Sequence, residues 1–91
     1  MTVGDAAKIL VRRLFPSVFT LRIRNGEARL EHGTVTRAFL EDCSSMASRE
    51  KVNSGWIWGV GTGDGVRLDF SSGINGKTRQ KFRNIAGIHG F

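Results

Sequence analysis

Hydrophobic and polar positions recur with two periods along the chain, and each period predicts one type of element. In residues 18–32 the apolar side chains fall on every second position, which is typical of half-buried β-strands. In residues 37–48 and 76–86 they recur every three or four positions, as on the buried face of an amphipathic helix. A second strand-like stretch separates the two helical segments. The pattern therefore predicts an α+β protein.

The first strand-like segment contains Asn25-Gly26, the strongest short signal for a β-hairpin, because a type I′ turn needs positive φ at both central residues. A two-residue loop then fixes the register. The predicted core-facing pairs are Ile23 with Ala28, Leu21 with Leu30, and Phe19 with His32. The predicted outer pairs are Arg24 with Glu27, Arg22 with Arg29, and Thr20 with Glu31. Arg22 opposite Arg29 is a like-charge pair, which is unfavourable unless a carboxylate or an external anion compensates it.

The second strand-like segment carries another two-residue turn signal, Asp64-Gly65. This turn predicts that Gly59 lies opposite Phe70 and Gly61 opposite Leu68, all on the core face. Trp56 and Trp58 then project together from the outer face of the sheet, near Arg22, Arg29 and Arg67. Burying both tryptophans would require the strand to slip by one residue.

The two hairpin-and-helix segments read as an internal repeat. Thr36 and Asn75 are candidate N-caps of the two helices, and Gly87 is the predicted end of the second. Shifting the sequence by 39 residues aligns Gly26 with Gly65, and aligns the two caps as well. We therefore predict a duplicated ββα-ββα arrangement, with units at 18–48 and 55–87. The expected fold is a four-stranded antiparallel sheet with two helices on one face, in a single domain of residues 1–91.

Residues 1–17 are predicted to form a separate amphipathic helix that Pro16 ends. Ala7, Leu10, Val11 and Leu14 share one face. This stripe can pack on the domain itself, or it can lie on a membrane surface or a protein partner. No segment is long and apolar enough to span a bilayer, and charges interrupt any secretory signal pattern, so we expect a cytoplasmic location.

The charge balance is basic, with 14 Lys and Arg against 8 Asp and Glu, a net charge of +6. No carboxylate occurs from Ser71 onward, and the last helix carries Lys77, Arg79, Lys81 and Arg83. Such a face is either a solvated surface or a contact for a polyanion. Basic and aromatic side chains on an open sheet face suit stacking of single-stranded bases, with Trp56 and Trp58 as the stacking residues. The alternatives are that the apolar stripe of the first helix lies on the two tryptophans, or that a second copy of the chain buries them.

Residues 71–78, SSGINGKT, approach a phosphate-binding loop, but a serine stands where the motif requires its first glycine. The predicted antiparallel sheet also argues against nucleotide hydrolysis. The free amides of a helix N-terminus beside Lys77 can still hold an anion. Cys43 is the single cysteine, and neither histidine has partners for a metal site. We therefore expect no enzyme activity, no catalytic residues, no metal and no cofactor.

Three segments carry a resemblance to a known family: LRIRNGEARLEHG, SGWIWGVGTGDGVRLDFSSGI, and RQKFRN with the terminal HGF. They make residues 19–91 similar to a small bacterial family of uncharacterised proteins, the domain-of-unknown-function family numbered 3634. Members of that family carry one membrane-spanning helix ahead of this domain, whereas residues 1–17 here are shorter and charged. The resemblance implies no function and no catalytic residues.

The sequence therefore favours a small non-enzymatic module that binds an anionic partner such as nucleic acid. The candidate binding residues are Lys77, Arg79, Lys81, Arg83, Arg22, Arg29, Trp56 and Trp58. The alternative is a protein-interaction or membrane-peripheral domain, which acts through the N-terminal helix or by forming a homodimer.

Overall fold

The computed structural model describes residues 18–63 and 65–91. The predicted N-terminal helix lies outside the described residues, as does Asp64. The elements, in chain order, are β1 (Phe19–Arg24), β2 (Glu27–Gly33), α1 (Arg37–Arg49), β3 (Ser54–Thr62), β4 (Gly65–Phe70) and α2 (Gly76–Ile88).

The four strands form one sheet in the order β2-β1-β3-β4, and every neighbouring pair is antiparallel. This confirms the predicted α+β architecture with four strands and two helices. Side chains from the inner face of the sheet pack with both helices in one hydrophobic core, which includes Phe19, Leu21, Ile57, Phe39, Cys43 and Phe82. Cys43 is 1% exposed. Burial raises the pKa of its thiol to about 12, so the side chain is a neutral part of the core.

The first hairpin confirms the predicted turn and corrects one end of the predicted register. Asn25 and Gly26 both have positive φ, and β1 pairs with β2 as predicted from Arg24 to Leu21. A β-bulge then follows, so that Thr20 pairs with His32 and Phe19 with Gly33. The predicted pairs Phe19 with His32 and Thr20 with Glu31 are therefore wrong. The extra residue moves His32 from the core side to the exposed side of the sheet.

The second hairpin has the predicted faces but a different register. Ile57 pairs with Phe70, Gly59 with Leu68, and Thr62 with Gly65. The predicted pairing of Gly59 with Phe70 is wrong by two residues, because the strands already pair at Thr62 and Gly65. A shift of two keeps every side chain on its predicted face. Gly59 faces the core, and the ring of the buried Phe19 fills the space that a side chain at this position would occupy.

The helices begin where predicted, and α2 ends later than predicted. Thr36 and Asn75 accept hydrogen bonds from the backbone amides of Phe39 and Thr78. Gly87 lies within α2 and does not end it. The positive φ that ends the helix belongs to Gly90, at +83°. The amide of Phe91 then donates to the carbonyl oxygen of Ala86 at 2.9 Å.

Candidate anion-binding site

The four predicted cations of α2 lie on two sides of the helix. Lys77 and Lys81 share one side, and Arg79 and Arg83 share another, because residues four positions apart are neighbours on a helix surface. Arg79 donates from Nε to the carbonyl oxygen of Ile74 at 2.6 Å, and from Nη2 to that of Ser71 at 2.9 Å. Its guanidinium therefore holds the connection between β4 and α2. A charge used in this way is less available to a ligand.

Lys81 is also engaged within the fold. Its Nζ lies 2.7 Å from Oε1 of Glu50, the residue that caps the end of α1. The hydrogen bond from Lys81 lowers the pKa of the Glu50 carboxyl, with Lys77 and Arg49 adding to the effect. Lys77 is exposed and has no ion pair within the described residues. Arg83 is exposed, and its guanidinium lies 5.3 Å from the ring centroid of Phe70.

The outer face of the sheet brings aromatic and basic side chains together as predicted. Arg22 is the cross-strand neighbour of Trp56, and its guanidinium carbon lies 4.6 Å from the Trp56 ring centroid. The indoles of Trp56 and Trp58 are parallel within 4°, with ring centroids 6.3 Å apart. Trp56 is half-buried, whereas Trp58 is only 3% exposed. Trp56 is therefore the more accessible of the two predicted stacking residues.

The outer face of β1 and β2 also forms a concave site of about 370 Å³, which we call the arginine cleft. Its lining residues are polar or charged: Arg22, Arg24, Asn25, Glu27, Arg29 and Glu31. Arg22 lies opposite Arg29 in the strand register, as the sequence predicts. The Nε of Arg29 lies 3.5 Å from Glu27 in an exposed ion pair. Exposed pairs of this kind contribute little to stability, about 0–1 kcal/mol.

The remaining titratable groups that the structure describes make local contacts of their own. Within residues 18–63 and 65–91, no three His, Cys, Asp or Glu side chains come together in a way that could hold one. His89 contacts Asp42 at 2.7 Å and packs its ring edge-on against Phe39. Arg67 pairs with Asp69 on the outer face, at 3.2 Å.

A family model described as "Protein of unknown function (DUF3634)" matches residues 6–91. The chain belongs to the DUF3634 family. This match confirms the resemblance seen in the hairpin and C-terminal segments. No curated protein and no solved structure matches the chain. In the part of this DUF3634 chain that the structure describes, no helix is long and apolar enough to cross a bilayer.

Two residues of the DUF3634 surface were not among the predicted site residues. Arg24 lines the arginine cleft, and the alternation that put Arg22 on the outer face also puts residue 24 there. Its position was therefore readable from the sequence. Glu50 was not, since it follows α1 in the chain and meets Lys81 only through the packing of the two helices.

Proposed function

We propose that this DUF3634 chain is a non-enzymatic binding module for a polyanion, nucleic acid in particular, with the arginine cleft as its main contact surface. One observation supports the proposal most strongly. Three arginines from two adjacent strands line one concave site on the outer face of the sheet. Two of them, Arg22 and Arg29, are direct cross-strand neighbours, and within the described residues the exposed ion pair of Arg29 with Glu27 compensates this like-charge pair only in part.

A phosphate backbone would compensate this charge. Arg22 is held over Trp56, so its guanidinium is positioned before a ligand arrives. Arg24 is exposed and has no ion pair within the described residues. The bond between Arg29 and Glu27 is exposed, and a phosphate could replace that carboxylate at small cost. A planar guanidinium group can donate two parallel hydrogen bonds to two oxygens of one phosphate, so arginine is well suited to bind phosphate here.

The tryptophans and the cations of α2 take smaller parts in the proposal. Arg22 occupies one side of the Trp56 ring, so a base stacks there only when Arg22 moves. Trp58, at 3% exposure, is not open to a base in this structure. Lys77 and Arg83 are exposed and can extend the positive surface, whereas Arg79 and Lys81 have partners within the chain.

A fluorescence titration tests the proposal. Tryptophan emission is recorded while a single-stranded oligonucleotide is added at low and at moderate salt. We expect saturable quenching and an affinity that falls with salt, because binding releases counterions from the phosphates. Arg24→Gln and Arg29→Gln should each weaken binding and reduce the slope of log affinity against log salt by about 0.7.

Arg37→Gln is the matched control, since it removes the same charge from an exposed position at the start of α1. It should leave the salt slope within error of the wild-type value. Equal losses in all three variants would mean that net charge alone attracts the oligonucleotide. That result, or the absence of any salt-dependent quenching, would contradict a specific role for the arginine cleft.

The second candidate function is interaction through the N-terminal segment, with a membrane surface, a protein partner or a second copy. The observation that favours it is Val18, which is 48% exposed and follows the apolar positions 7, 10, 11 and 14 in the sequence. Co-sedimentation with anionic vesicles, before and after deletion of residues 1–15, tests this candidate. Equal sedimentation of both chains would exclude a membrane role for that segment.

We also infer that the two ββα units arose by duplication. The two helices begin at Arg37 and Gly76 and end at Arg49 and Ile88, so both limits are 39 residues apart. The pairing of β1 with β3 supports the inference. Phe19 pairs with Gly59, and the positions equivalent to them after the shift of 39 residues, Trp58 and Thr20, also pair with each other. The two strands at the centre of the sheet are therefore the first strand of each unit.

A further inference from the structure

A second concave site lies at the N-terminal end of α2, outside the arginine cleft. Its volume is about 260 Å³, and its lining includes Glu50, Lys51, Ser54, Gly73, Asn75 and Thr78. The end of α1, the start of β3 and the connection from β4 to α2 meet here. The sequence SSGINGKT supplies the last part of this lining, so the stretch that resembles a phosphate loop borders a real concavity.

One buried hydrogen-bond donor without a partner lines this site. Thr78 lines it, is 3% exposed, and its hydroxyl has no hydrogen-bond partner among residues 18–63 and 65–91. Its backbone amide is taken by the Asn75 side chain at 2.9 Å. The two preceding amides, of Gly76 and Lys77, lie in the first turn of α2 between the lining residues Asn75 and Thr78, and have no partner in the described part of the chain. A buried hydroxyl without a partner is unusual in a protein and calls for a ligand or an ordered water.

The electrostatics of the site favour an anion. Among the described lining residues Glu50 is the one carboxylate, and Lys81 binds it at 2.7 Å. Lys77 also acts on Glu50, since it helps to lower the pKa of that carboxyl. Lys51 lines the site as well. Lys81 therefore neutralises the Glu50 carboxylate, Lys51 adds a positive charge to the lining, and the positive end of a 13-residue helix adds to the excess.

We propose that this concavity binds a phosphate group through the Thr78 hydroxyl, the Gly76 and Lys77 amides and the Lys77 ammonium. The inference rests on the proposed function for its biological ligand, the phosphate of a nucleic acid, but its chemistry holds equally for free phosphate. Ser54 lines the site and pairs with Arg24 of the arginine cleft in the sheet register. The arginine cleft and this second site therefore share one cross-strand pair at the end of the sheet.

Titration with inorganic phosphate, followed by amide NMR, tests the site on the whole chain. The ionic strength is held constant with chloride. We expect saturable shifts of the Gly76 and Lys77 amides. Thr78→Val should raise the dissociation constant about tenfold, the loss of one charge-assisted hydrogen bond. Thr78→Ser, which keeps the hydroxyl, should restore wild-type affinity. Lys77→Gln should weaken binding by a similar factor.

Arg37→Gln is the matched control, because it removes one charge from an exposed position at the start of α1, outside both sites. Its phosphate affinity should equal that of the wild type. Glu50→Gln should tighten binding, since it removes the one carboxylate in the lining. Shifts that rise linearly without saturation, or that weaken equally in Arg37→Gln and Thr78→Val, would show an adventitious ion only and overturn the proposal.

The same variants separate this inference from the proposed function. If an oligonucleotide binds and Arg29→Gln weakens it, but phosphate leaves the Gly76 and Lys77 amides unshifted, the α2 site fails and the cleft stands. If phosphate binds and Thr78→Val removes it, but no oligonucleotide binds, the proposed function fails. The α2 site then stands as a site for free phosphate.

Discussion

Gly59 shows how one missing side chain arranges the centre of the core. It lies in β3 directly opposite Phe19 of β1, and a Cβ atom at this position would lie 2.1 Å from Cε2 of Phe19. The Phe19 ring is held in turn by Phe39 and Phe91, with ring centroids 5.6 and 5.4 Å away. The ring therefore cannot turn aside without disturbing both neighbours. The requirement at this position is for space, and only glycine meets it.

Gly59→Ala should lower the free energy of unfolding by about 3 kcal/mol, because the added methyl group overpacks the core. Gly61→Ala is the matched control on the same strand and face, where the nearest atom to the new Cβ would be Val18 Cγ2, at 3.4 Å. The control should change stability by less than about 1 kcal/mol. Urea unfolding curves measure both. Equal effects would contradict the role assigned to the Phe19 contact.

At the scale of elements, the two helices end with the same hydrogen bonds but with different residues. After α1, the amide of Val52 donates to Ala47; after α2, that of Phe91 donates to Ala86. This ending needs a residue with positive φ before the donor. Gly90 occupies that position after α2, whereas Lys51 occupies it after α1 with φ of +55°. A residue with a Cβ is strained in this conformation.

Lys51→Gly should therefore raise the free energy of unfolding, by about 0.5–1 kcal/mol, since the glycine adopts positive φ without strain. Arg49→Gly is the contrasting variant, because it lies in the last turn of the helix, and it should lower stability by up to about 1 kcal/mol. Thermal unfolding followed by circular dichroism measures both changes. A lower stability for Lys51→Gly would mean that its side chain makes a stabilising contact that outweighs the strain.

At the scale of the whole molecule, Phe91, which follows α2, packs its ring against the centre of the core. Its ring lies 4.9 Å from that of Phe39 and 5.4 Å from that of Phe19, between centroids. The hydrogen bonds that end α2 set the position of this ring, because they turn the chain back toward the sheet. Ile88, three residues earlier, is 82% exposed and faces solvent.

Phe91→Ala should lower the free energy of unfolding by about 2 kcal/mol, less than a fully buried phenylalanine would lose. Ile88→Ala removes an apolar side chain from the same segment and should stay within about 0.5 kcal/mol of the wild type. Urea unfolding compares the two. A similar loss in both variants would show that the aromatic contacts of Phe91 are not what stabilises this end of the molecule.

Much of the architecture could be read from local signals. The positive φ values at Asn25 and Gly26 are a backbone requirement of the turn, and the caps Thr36 and Asn75 act within three residues. Alternation placed Trp56 and Arg22 on the outer face. These features depend on neighbours in the chain, so the sequence by itself determined them, together with the α+β order of the elements.

Tertiary structure decided what depends on residues distant in sequence. The bulge that turns His32 outward and the two-residue shift at Thr62 and Gly65 are both properties of strand pairing, which the turn residues alone do not fix. Tertiary contacts also determine which cations of α2 are paired within the chain. Lys81 meets Glu50 only because the end of α1 lies beside α2, and Arg79 turns to carbonyls of the preceding connection. The sequence shows where the charged residues are along the chain, whereas packing determines which of them are paired within the fold and which are exposed to a ligand.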